Sequence, residues 1–150
     1  FAGSSNGVND IIDFATTADH VNVDAHVTNV SKVDAFITWS NANTPVANGQ
    51  VVNLARSTAL ADAAAAVALF EDEEAGTATA GKMEIADTGG KIVFVVQDDN
   101  VATGDNFDAQ MFFLSSDGTT VTGELVATFN TAPLGNGNNA SVVAIADFVN

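Results

Sequence analysis

The chain has 150 residues, 47% of them hydrophobic, and 19 acids against 4 bases give it a formal net charge of -15 at pH 7. Such a length and apolar content support one domain with a substantial core and argue against disorder. The charge repels nucleic acid and anionic membranes and favours cations as partners, while the absence of cysteine excludes disulfides and thiolate metal sites.

No uninterrupted apolar run approaches the roughly 20 residues of a spanning helix, so membrane insertion is not expected. The N-terminus lacks the charged and apolar regions of a signal peptide. Export would therefore rely on another signal or on one already removed. An exported protein without disulfides can obtain rigidity from calcium, which is plentiful outside cells.

In chain order, residues 7–23 read GVNDIIDFATTADHVNV, with Asp10, Asp13 and Asp19 interleaved among Ile11, Ile12, Phe14, Val21 and Val23. The pattern sets hard oxygen ligands on turns beside short apolar runs, as a cation-organised segment requires. Plain Asx turns would use the same residues. Val21, Val23, Ala25 and Val27 alternate with polar residues, and Val33, Ala35, Ile37 and Trp39 repeat that period, so two strands are expected before Asn41. Turn residues fill 41–50 and a short apolar run occupies 51–54.

An alanine-rich helix is expected over 59–70, capped by Ser57 or Thr58, with Leu60, Ala64, Val67 and Phe70 on one face. Arg56 would sit at its positive end and Glu71, Asp72, Glu73 and Glu74 at its negative end, each costing up to about 1 kcal/mol if uncompensated. The helix should therefore stop at Phe70 or hold a cation there. The acidic run itself is read as a solvated face.

The second half reads as a meander. Strands are expected at 83–86 and 91–97 around a turn at 87–90, then at 110–114 and 120–129 around an Asp117-Gly118 turn, and finally at 141–148. The expected fold is mainly β, with antiparallel strands in a sandwich or meander and one Ala-rich helix. It forms a single domain over 1–150, which one reading makes the C-terminal part of a longer secreted protein.

The best candidate for metal binding is the acidic loop 98–108, DDNVATGDNFD, in which Asp98, Asn100, Asp105 and Asp108 offer carboxylate and amide oxygens to a hard cation. It is not an EF-hand: Ala102 takes the fifth position, Thr103 the sixth where Gly is required, and no Glu closes the loop. The competing reading is a solvated hairpin connection. Calcium is favoured over it because so many carboxylates in a short span repel one another unless a cation pairs them.

Catalytic patterns are poorer. Gly3-Ser4-Ser5-Asn6-Gly7 fits a nucleophile elbow in text but lacks the strand before it and the helix after it. Asp87-Thr88-Gly89 matches the aspartic-protease tripeptide; a hairpin turn is its commoner meaning, and a homodimer with one Asp per subunit is the enzymatic alternative. His20 and His26 without cysteine make a weak case for zinc, and satisfied strand histidines are the favoured reading. Phe36, Trp39, Phe94, Phe112, Phe113 and Phe129 lie within strand signals and are expected in the core.

Asn9-Asp10-Ile11-Ile12-Asp13-Phe14 followed by Asp19-His20-Val21-Asn22-Val23 resembles the "ND-x-I-x-DF … D-x-I-x-L" segment that closes the calcium-binding repeats of RTX proteins. The Ala-rich helix, the strand with Val93-Phe94-Val95, the Asp/Asn-rich loop and the next apolar strand are similar to the C-terminal region of these type I-secreted proteins, bacterial surface-layer proteins and adhesins among them. Asp147-Phe148-Val149 matches their terminal secretion signal, whereas Asn150 departs from its hydrophobic ending, and the GGxGxDxUx nonapeptide is absent.

The resemblance implies a noncatalytic, Ca2+-binding extracellular or cell-surface protein. Asp10, Asp13 and Asp19 would be cation-linked turn residues, and Asp147, Phe148 and Val149 would serve in secretion. The expected function is a calcium-stabilised structural module, a likeness to surface-layer subunits implying self-assembly as a homo-oligomer into a layer or filament, with cell-surface polysaccharide as a further candidate partner. The alternatives are a noncatalytic secretion tail of a secreted hydrolase or adhesin, and the Asp87 protease dimer.

Overall fold

Two eight-residue strands, KIVFVVQD and AQMFFLSS, make the centre of the molecule, because nearly every side chain along them is buried on one face or the other. The computed structural model describes residues 9–12, 21–22, 37–40, 45–56, 58–72, 79–86, 90–98, 109–130 and 148–149. Among these the chain forms β1 (Asn9–Ile12), β2 (Val21–Asn22), β3 (Ile37–Thr38), β4 (Val51–Arg56), α1 (Ala63–Val67), β5 (Phe70–Asp72), β6 (Met83–Ile85), β7 (Lys91–Asp98), β8 (Ala109–Ser116), β9 (Val121–Asn130) and β10 (Phe148–Val149). The fold is mainly β with one short helix.

Six strands form one sheet in the order β1-β9-β8-β7-β4-β3. Its middle, β7-β8-β9, is the antiparallel meander expected from the turn signals. Its flanks are parallel: β4 runs with β7, β3 with β4, and β1 with β9. A parallel pair requires a crossover, which the β4-to-β7 connection supplies by carrying α1, β5 and β6. Val126 is the extra residue of a bulge, since Met111 pairs with Ala127 while Phe112 pairs with Leu125.

The crossover covers one sheet face. Val52, Ile92, Phe94, Val96, Phe112 and Leu114 share that face and form one core with Leu60, Ala66, Phe70, Met83 and Ile85. The Phe70 ring meets Phe94 edge-on at 4.9 Å, and Phe94 lies 5.9 Å from Phe112. Val51, Val93, Val95, Met111 and Ala127, on the opposite face, are also fully buried. Burial on both faces explains why β7 reads as a continuous apolar run instead of an alternating one.

The helix is shorter than its sequence suggests and starts later. Asp62 is its N-cap, its carboxylate accepting from the Ala65 N–H at 2.8 Å, and Ala68 closes it. Ser57 or Thr58 as cap and a helix running to Phe70 are thus corrected. Leu60 precedes the helix and is held by Gln110, while Phe70 is drawn into β5, where it fills the core beside Phe94. Tertiary packing overrides alanine propensity at both ends.

A second correction concerns 83–90. β6 does not form a hairpin with β7; it pairs in parallel with β5, matching Phe70 with Met83 and Asp72 with Ile85. Val46 joins this small ribbon by bridging to Ile85. Glu71 and Asp72, read as part of a solvated acidic face, are half-buried strand residues: Glu71 accepts from the Thr79 N–H and Asp72 from the Ser116 hydroxyl. Of the last expected strand, 141–148, only Phe148 is described; with Val149 it forms β10 beside β2.

Candidate functional site

A single row of registered residues crosses five strands: Ile11, Phe129, Ala109, Gln97 and Ala55. One residue past this row β1, β9, β7 and β4 end, and β8 begins at the row itself. The chain therefore leaves β1 toward Asp13, and leaves β7 toward the acidic loop, at the same end of the sheet. Residues almost a hundred positions apart in sequence become neighbours by topology. With strands roughly 4.8 Å apart, the end of β1 lies about 10 Å from the start of β8 and about 14 Å from the end of β7.

Asp10 lies in β1 in register with Thr128, and Asp98 is the last residue of β7, in register with Arg56 on β4. The Arg56 guanidinium is turned to the Thr58 hydroxyl at 3.4 Å. One residue below Asp98, the buried Gln97 donates its amide to Asn53 Oδ1 at 2.8 Å, tying β7 to β4 beneath the loop. Asn100, Asp105, Asp108, Asp13, Asp19 and Asp147 lie outside the described residues. Phe148 and Val149 stand in β10, in register with Val21 and Asn22. Among the described residues, no group of three or more His, Cys, Asp or Glu side chains is placed to hold a metal ion.

The opposite end of the sheet differs in chemistry. There β8 turns into β9 through Asp117, whose carboxylate accepts from Thr119 N–H, Thr120 N–H and the Thr119 hydroxyl at 3.0, 2.9 and 2.8 Å. These bonds, led by the hydroxyl, hold its pKa below the ordinary 3.8. An open cleft of about 310 Å3 lies nearby, lined by Lys91, Phe113, Ser115, Thr122 and Glu124. Its two hydroxyls, Ser115 and Thr122, bond each other at 3.1 Å.

The enzymatic alternative rests on Asp87, Thr88 and Gly89, which lie outside the described residues, as do His20 and His26. No helix among the described residues is long and apolar enough to cross a membrane. No family model, curated protein or solved structure matches the chain.

Two polar positions at the heart of this scaffold escaped the sequence reading. Gln97 closes one apolar run and Gln110 stands at the start of the next; each is buried and spans two elements, Gln97 to β4 and Gln110 to the segment before α1. The available signal was their setting: an amide in a buried strand must find partners.

Proposed function

We propose that this protein is a calcium-stabilised, noncatalytic extracellular module that self-assembles into a surface layer or filament. The observation that carries the reading is the convergence of the strand ends. The segments bearing Asp13 and Asp19 and the loop bearing Asn100, Asp105 and Asp108 leave the sheet at the same end, beside Asp98. The strand ends from which these two acid-rich segments depart lie about 10–14 Å apart, and negative charge gathered at one end of a sheet is what a hard cation would neutralise.

The net charge of -15 supports the same conclusion, because four basic side chains cannot offset 19 acids. Bound Ca2+ would lower the repulsion within one subunit and could bridge two, which favours a homo-oligomer at the cell surface. Asp147, Phe148 and Val149 retain their proposed secretory role.

Thermal denaturation with calcium, with magnesium and with chelator tests the reading. A cation that binds the folded state alone adds about 2.7 kcal/mol at a hundredfold excess over its Kd, or about 5–11 °C in midpoint for a chain of this size. A midpoint unchanged by calcium, together with electron micrographs showing the same particles in calcium and in chelator, would reject it.

A further inference from the structure

We draw no further inference here: the strongest candidate, the open cleft of about 310 Å3 at the turn end of β7, β8 and β9 lined by Lys91, Ser115, Thr122 and Glu124, carries no ligand assignment because its two hydroxyls bond each other and nothing in the structure shows what covers it.

Discussion

The side-chain amide of Gln110 closes both backbone valences of Leu60: its Oε1 accepts the Leu60 N–H at 2.7 Å and its Nε2 donates to the Leu60 carbonyl at 3.0 Å. Both residues are buried, 50 positions apart in sequence. This two-point bond anchors the crossover to the sheet just before α1 begins.

Replacing Gln110 with Leu should leave two buried backbone groups unpaired, at about 1–3 kcal/mol each. The expected loss is about 2–6 kcal/mol, read from the urea midpoint. Gln110→Glu retains the acceptor but, ionised, cannot donate to the Leu60 carbonyl, so it too should destabilise at neutral pH. A Gln110→Leu variant as stable as the parent would show that the latch contributes nothing.

Gly123 lets the helix approach the sheet. A Cβ there would stand 2.4 Å from Leu114 Cδ2 and 2.9 Å from Val67 Cγ2. Gly123→Ala should cost about 1–3 kcal/mol through overpacking, and Val67→Ala in the same chain should recover part of that loss. The check is a double-mutant cycle by chemical denaturation, with a coupling energy favouring the pair.

Asp117 provides a pH handle. Its folded pKa lies below the unfolded value, so its stabilisation is present above the unfolded pKa and is lost as the pH falls through the folded one. Carbon-13 titration should find the Asp117 carboxyl below 3.8. Asp117→Asn retains an acceptor oxygen without the titration, so the difference in stability between parent and variant should depend on pH only below about pH 5.

Charge removal in the loop distinguishes a cation site from a solvated connection. Asp98→Asn with Asp108→Asn should lower the calcium-dependent rise in midpoint by at least half. In chelator the same variant should be equal to the parent or more stable, because like charges have been removed. Opposite signs in the two conditions are the signature of a ligand role. A loss of stability in both would indicate turn or cap bonds instead.

The local features of the meander were legible because local chemistry decides them. Asp117-Gly118 reads as a turn since Asp supplies acceptors to the following N–H groups and Gly118 accepts a φ of 92°. The apolar run Ile92 to Val96 reads as a buried strand for a similarly direct reason. Helix length was not legible: Ala59 to Phe70 has helical propensity throughout, but Leu60 and Phe70 are claimed by partners 50 and 24 positions away, Gln110 and Phe94.

By itself, then, the sequence determined the mainly β class, the strands of the β7, β8 and β9 meander with the Asp117-Gly118 turn, and the acidity that directs attention to cations. Each follows from side-chain period, turn chemistry or net charge, which act over a few residues or over the whole composition. Only the tertiary structure decided that β6 joins β5 and not β7, that β1 and β4 run parallel to their neighbours, and that the chain leaves β1 and β7 at one end of the sheet. Strand pairing depends on which distant apolar faces bury one another, and nothing within a single strand specifies that choice.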